Sequence, residues 1–226
     1  MKKIILIGIC VIMLAILTGC FEVTTEQKLS AIGEALKNEE WVKNNLYMTK
    51  DCFGDEVTGN QEITFKKIGE DRVIVQALSY DSDAFGVVLT VVYYKDGKVM
   101  TYSYPSLDEP LHPGHLGFNV DPDNQILVSY FMHMGFYEDV LYTIGDNSID
   151  DFARFAGAEM DEEGNIRETE SGDTLVDYEF INGDEKEEGT MTFSEYYKYL
   201  ENYRKEYNFQ AIDTPLTAEN VDLYVR

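Results

Sequence analysis

Nine short β-rich runs succeed one another between residues 61 and 181 with no helical pattern between them. They are Ile63–Lys67, Arg72–Tyr80, Val87–Lys95, Lys98–Tyr104, Gly117–Val120, Ile126–His133, Glu138–Ile144, Ile149–Phe155 and Leu175–Ile181. Turn-forming clusters punctuate them: Gly69-Glu70-Asp71, Asp96-Gly97, Asp121-Pro122-Asp123-Asn124, Gly145-Asp146-Asn147 and Asn182-Gly183. Parallel neighbours need long crossovers, so strands joined in this way pair antiparallel, as a meander. The pattern leaves open whether the sheet closes as a sandwich, a curved sheet or part of a propeller. No repeat period is sharp enough to claim a propeller.

The hairpin around Asp96-Gly97 fixes a register. That dipeptide suits the positive φ angles of a type I′ turn, and a two-residue loop pairs Tyr93 with Met100, Val91 with Tyr102 and Leu89 with Tyr104. These six share one face, and so apolar a face is expected to be buried. The opposite face, with Val88, Thr90, Val92, Tyr94, Val99, Thr101 and Ser103, is mixed and reads as half-covered by another layer.

Helices flank the strands. Thr24 and Gln27 fit the capping-box spacing, and Leu29, Ile32, Leu36 and Val42 form one apolar stripe of a helix reaching about Leu46. Trp41, the single tryptophan, lies beside that stripe. Thr192 and Glu195 form a second capping box, followed by Tyr196, Leu200, Tyr203 and Tyr207 on one helical face that packs on the sheet. After Pro215, residues Leu216–Asn220 suggest a last short helix. The acidic stretches Glu159–Gly172 and Gly183–Gly189 read as solvated, mobile loops. The expected class is α+β and mainly antiparallel β, with an N-terminal helix and C-terminal helices packed on the sheet.

The first 20 residues have a different character. Lys2 and Lys3 precede a 14-residue apolar run from Ile4 to Leu17, and Leu17-Thr18-Gly19-Cys20 closes it. A charged start, an apolar core and a small-residue stop make a secretory signal. Its ending resembles the lipobox of bacterial lipoproteins, Leu-x-(Gly/Ala)-Cys, matched here by Leu17, Gly19 and Cys20. The resemblance implies cleavage before Cys20 and a diacylglyceryl group on its sulfur. Two acyl chains give stable anchoring, whereas one holds only marginally, at about 0.8 kcal/mol per buried methylene. An uncleaved span is the alternative, but 14 residues is short against the roughly 20 required. Either way the lysines stay inside and the rest of the chain lies outside. The expected organisation is a signal peptide over 1–19, a lipidated cysteine and short tether over 20–24, and one extracytoplasmic domain over 25–226 on the outer face of the cytoplasmic membrane. The β meander, the acidic loop after Ile181-Asn182-Gly183 and the helix from Thr192 to Tyr203 together resemble uncharacterised cell-surface lipoproteins of Gram-positive bacteria. That likeness of layout implies no activity.

Charge narrows the partners. The chain carries 42 acidic and 18 basic residues, a net −24, and loss of Lys2 and Lys3 with the signal makes it −26. Nucleic acid is excluded as a partner, because its phosphates need Lys and Arg. Anionic head groups repel such a body within a Debye length of about 8 Å. Of the three cysteines, Cys10 leaves with the signal and Cys20 becomes a thioether. Cys52 alone remains, without a disulfide partner, and reads as a small buried apolar residue.

Candidate chemistry is sparse. His112-Pro113-Gly114-His115 is the one histidine cluster, and no third metal ligand is set by spacing where structural zinc needs four and catalytic zinc three. His133 falls on a strand and reads as a core or edge residue. Asp81-Ser82-Asp83-Ala84-Phe85-Gly86 begins like a calcium loop, but its twelfth position is Val92 where a bidentate Glu is required. Asp121-Pro122-Asp123-Asn124 is accounted for as a type I turn. Hydrolase signatures such as Gly-x-Ser-x-Gly and His-Glu-x-x-His are absent from the sequence. No catalytic residue, metal or cofactor is implied. The leading expectation is a non-catalytic binding module for a surface protein or cell-wall ligand. The alternatives are a surface hydrolase using a carboxylate pair and an acidic cation-binding protein.

Overall fold

The computed structural model describes residues 23–81, 84–112, 116–161 and 164–226. Two antiparallel sheets lie face to face, with helices on both outer faces. The five-stranded sheet has the order β12-β1-β2-β3-β4 and the seven-stranded sheet the order β10-β9-β8-β7-β6-β5-β11. Their strands are β1 Glu62–Ile68, β2 Arg72–Asp81, β3 Ala84–Lys95, β4 Lys98–Tyr104, β5 Leu116–Asp121, β6 Ile126–His133, β7 Phe136–Ile144, β8 Ile149–Ala158, β9 Leu175–Asn182, β10 Glu185–Thr192, β11 Gln210–Ala211 and β12 Thr214–Pro215. The helices are α1 Thr25–Lys37, α2 Glu39–Leu46, α3 Phe193–Arg204 and α4 Ala218–Tyr224. The expected α+β, mainly antiparallel class is what forms, and of the closures left open it is the sandwich.

Alternation along each strand divides the core into layers. Ile74, Leu89 and Val91 of the smaller sheet meet Val120, Leu127, Tyr142 and Ile144 of the larger between the sheets. Phe65, Val73, Val75 and Val92 point the other way, against Leu29, Ile32, Leu36 and Leu46 of α1 and α2 and Val221 of α4. On the far side, Tyr196 and Leu200 of α3 cover Val128, Leu141, Phe155 and Phe180.

The hairpin register is the expected one: Leu89 opposite Tyr104, Val91 opposite Tyr102 and Tyr93 opposite Met100. Asp96 and Gly97 both have positive φ, 51° and 81°. The face is buried only in part: Leu89 and Val91 are buried, Tyr93, Tyr102 and Tyr104 half-buried, and Met100, near the turn, is exposed. The mixed face is covered by α1 and its neighbours.

Both capping boxes form, Thr24 with Gln27 and Thr192 with Glu195. Two expectations need correcting. The first helix does not run unbroken to Leu46: Asn38 leaves helical geometry (φ −86°, ψ 108°) and its side chain accepts a hydrogen bond from Trp41 N at 2.9 Å, capping a second helix. The acidic stretch after Gly183 is not a loop but strand β10, paired residue for residue with β9 from Glu185 opposite Asn182 to Thr192 opposite Leu175. In the acidic stretch after Ala158, Asp161 N bonds to Asn165 O and Thr169 N to Asp173 O, and Gly164, Asn165, Glu168 and Glu170 are exposed.

Turns sort by end. Gly69 N donates to Pro122 O and Arg72 to Gly145 O and Asp146, which gathers the β1–β2, β5–β6 and β7–β8 turns at one end of the sandwich. Lys28, in the first turn of α1, pairs with Asp71 at 2.6 Å, so the start of α1 lies at that same end. The β6–β7 turn, Met134-Gly135, lies at the opposite end.

Candidate functional site: an uncovered sheet face and an apolar hairpin tip

The two sheets differ in width, and the difference leaves one face bare. Tyr104 of β4 packs against Tyr142 of β7 with ring centroids 5.1 Å apart and the planes tilted by 55°, and Tyr102 donates to Gly145 O at 2.7 Å. The edge of the smaller sheet thus lies over β7, while β8, β9 and β10 continue beyond it. A β-bulge decides which residues occupy the bare face. Leu141 pairs with Ala153 but Tyr142 with Asp151, leaving Phe152 as the extra residue. Past the bulge, Arg154, Ala156 and Ala158 face the sandwich side, and Ala153 and Phe155 pack under α3.

A trough of about 480 Å³ runs along this face. Ala156 and Ala158 form a low floor, Phe131 and Phe136 an aromatic end, and Glu138, Arg154, Asp177, Glu179 and Glu188 the charged sides. Its ions are paired. Arg154 Nε donates to Glu138 at 2.6 Å, Lys186 bridges Glu179 at 2.7 Å and Glu188 at 2.9 Å, and Arg167 meets Asp177 at 2.5 Å. Hydrogen bonds from Lys186 hold the Glu179 carboxyl below its ordinary range, and Glu179 and Glu188 push the lysine above its own. Arg167, then Thr190, hold Asp177 low in the same manner. These exposed pairs add little stability. They set the charge pattern, in which carboxylates outnumber cations.

At one end of the trough the β6–β7 hairpin carries exposed apolar side chains. Met132 is 65%, Met134 68% and Phe136 48% exposed. Met134 has φ 50° and Gly135 φ 79°, a turn that normally takes Asn, Asp or Gly at its first position. A large apolar residue in left-handed geometry, pointing at solvent, is locally unfavourable and makes this tip a candidate functional surface. The tip is braced from behind, since Glu159 N donates to Gly135 O at 2.8 Å and Tyr137 donates to the Glu159 carboxylate. Burial, then that bond, push the Tyr137 phenol well above its ordinary range.

The residues singled out from sequence are dispersed. Leu17, Gly19 and Cys20 lie outside the described residues, as does His115 of the histidine cluster. His112 is exposed, its ring edge-on to Phe53 at 5.8 Å. His133 is an exposed residue at the turn end of β6 and not part of the core. Cys52 is half-buried, and burial followed by the nearby Asp51 charge push its thiol up, away from a reactive thiolate. Among the described residues, no three His, Cys, Asp or Glu side chains converge as a metal site. Asp121 does more than make a turn: fully buried, it accepts bonds from Asp123 N, Asn124 N, Asn124 Nδ2 and, from beyond α3, Asn208 N. Among the described residues, no helix is long and apolar enough to cross a membrane.

Sequence reasoning did not pick out Met132, Met134, Phe136 or the Glu138–Arg154 pair. The signal for the tip was present as Met134-Gly135 between two alternating runs. Comparisons with protein-family models, curated proteins and solved structures gave no match to this chain.

Proposed function

We propose that this protein is a lipid-anchored, extracytoplasmic binding module, held at the outer face of the cytoplasmic membrane through Cys20. Its trough and apolar hairpin tip engage a surface protein or a cell-wall ligand. The observation that carries this reading is the placement of the tip. Thr24, four residues after Cys20, begins α1 at one end of the sandwich, and Met134 lies at the other. Eight or nine strand residues at about 3.3 Å each separate them, some 25–30 Å. An anchor at Cys20 therefore turns Met132, Met134 and Phe136 outward from the membrane, where a partner meets them. Phe131 and Phe136 at the end of a trough with small side chains on its floor, beside the exposed Met134 of the tip, suit contact with another molecule.

The trough's chemistry favours binding over hydrolysis. A glycosidase-type acid needs a carboxyl with a raised pKa, which Asp177 and Glu179 do not supply: hydrogen bonds from Arg167 and Thr190 hold the first low and one from Lys186 the second.

The test is co-sedimentation of the full chain, in detergent micelles, with isolated cell-wall fragments and separately with surface-protein extracts. The wild type is expected to be retained by one of the two, and a Met132→Ser, Met134→Asn, Phe136→Ser variant to lose most of that retention. Equal retention of the two proteins, or retention of neither, contradicts the proposal.

A further inference from the structure

Four strands end the two sheets, and three of them are blunted in ways that natural edges use against pairing. β12 has two residues and ends in Pro215, β11 has two residues, and β10 carries Glu185, Lys186, Glu187 and Glu188 in succession. β4 has none of these devices. It is seven residues long, free of proline and acid, with one charge, Lys98, at its turn end.

The register of β4 shows which backbone groups are open. Lys95 and Lys98 flank a two-residue turn and so form a hydrogen-bonded pair, and bonding pairs recur at alternate residues: Met100, Tyr102 and Tyr104. Val99, Thr101 and Ser103 therefore direct their N–H and C=O groups away from β3. No described strand meets them, and all three residues are only half-buried.

Beside this edge the larger sheet extends by three strands, about 14 Å at roughly 4.8 Å per strand. Edge and overhang together make a ledge: β4 is the wall, and on the floor Glu138, Asp177, Glu179 and Glu188 stand with Arg154, Arg167 and Lys186. We propose that the ledge accepts an extended segment of a partner protein, added as a strand to β4, with basic side chains directed at the floor. Main-chain bonds to Val99, Thr101 and Ser103 supply the attachment, as in other strand additions. The excess of carboxylates on the floor, in a chain of net −24, selects the basic sequence. A second copy is disfavoured on two counts. Antiparallel β4–β4 pairing about a two-fold axis normal to the sheet drives each overhang into the space of the other's larger sheet, and it brings two acidic bodies together. The overhang thus guards β4 against self-pairing while leaving room for one strand.

This deepens the binding reading, rests on it, and names the partner as a protein. The test is residue-resolved amide hydrogen exchange on the full chain in detergent micelles. The probes are an eight-residue peptide alternating lysine with valine, a glutamate–valine counterpart, and the lysine–valine peptide with alternate amides N-methylated. At saturating lysine–valine peptide, exchange at Val99, Thr101 and Ser103 should slow by about tenfold or more. The other two probes should leave it unchanged. Thr101→Pro, which removes one edge donor, should abolish the protection; should that variant not fold, the N-methylated peptide makes the same test from the ligand side. Slow exchange at these three amides in the free protein, equal protection by all probes, or a dimer in sedimentation that buries β4 would overturn the inference. Protection at the trough or tip alone, or nowhere, also overturns it, and leaves the binding reading to the wall-fragment and extract assay.

Discussion

Arg204, the last residue of α3, grips the carboxylate of Asp139 on β7 with two hydrogen bonds of 2.7 Å. The arginine fork matches a carboxylate bidentately, and the Asp139 side chain is only 5% exposed. The pair ties the end of α3 to the middle of the larger sheet, and that helix covers the face opposite the trough. Its hydrogen bonds to Asp139 outweigh the effect of burial and raise the Arg204 pKa.

Removing the guanidinium leaves a buried carboxylate without its partner. Arg204→Ala should cost about 1–3 kcal/mol, below the 3–5 kcal/mol of a fully buried pair because Arg204 keeps some exposure. Arg204→Lys should recover only part of the loss, since a lysine cannot reproduce the fork. Urea midpoints of the two variants check both expectations.

Gly157 lies under the ring of Tyr196. A Cβ there would sit 2.7 Å from Tyr196 Cζ and 2.9 Å from Val176 Cγ1, and Tyr196 is 1% exposed. Gly157→Ala should therefore destabilise by about 1–3 kcal/mol through overpacking. Combined with Tyr196→Leu, its cost should shrink, a non-additivity that a double-mutant cycle reads directly.

Asp121 staples the β5–β6 turn to the chain beyond α3. Burial alone pushes its carboxyl up, but bonds from the Asn124 side chain and the Asn208, Asn124 and Asp123 backbones outweigh it and hold the pKa low. A depressed folded pKa means that this stability is fully present above the unfolded value of about 3.9 and is lost as pH falls through the lower, folded value. The gap in urea midpoint between wild type and Asp121→Asn should be constant above about pH 5 and narrow below about pH 4. A gap that stays the same from pH 7 to pH 2 contradicts this role.

Met134 should show a conflict between stability and function. Asn tolerates left-handed geometry better than Met, so Met134→Asn should stabilise the fold by about 0.5–1 kcal/mol. The same change removes the most exposed apolar side chain of the tip and should weaken retention by the partner. Thermal melting and the co-sedimentation assay together separate the two effects.

Much of the fold was legible because local rules and tertiary demands agreed. The Asp96-Gly97 loop set the register of β3 and β4 without reference to the rest of the chain, and Thr24 and Thr192 announced their helices through side chains that bond within one turn. The failures have physical causes as well. Asn38 sits in an unbroken helical stripe, and only its cap geometry reveals the break. Glu185–Glu188 read as a loop because both faces of this edge strand are exposed up to Thr190, so β10 needs no apolar alternation. The trough was out of reach because it arises from unequal sheet widths and the bulge at Phe152, which are properties of assembled strands.

Under the proposed anchoring, where every surface of this molecule faces depends on Cys20. Intact-mass analysis of the protein purified from its own membranes, alongside membrane fractionation of a Cys20→Ser variant, tests this most directly. The account predicts a chain beginning at Cys20 with a diacylglyceryl group on its sulfur, and a variant that is no longer processed and anchored in that form. A wild-type chain that retains residues 1–19 with a free Cys20 thiol, or a Cys20→Ser product that stays on membranes at the normal mature size, would contradict it.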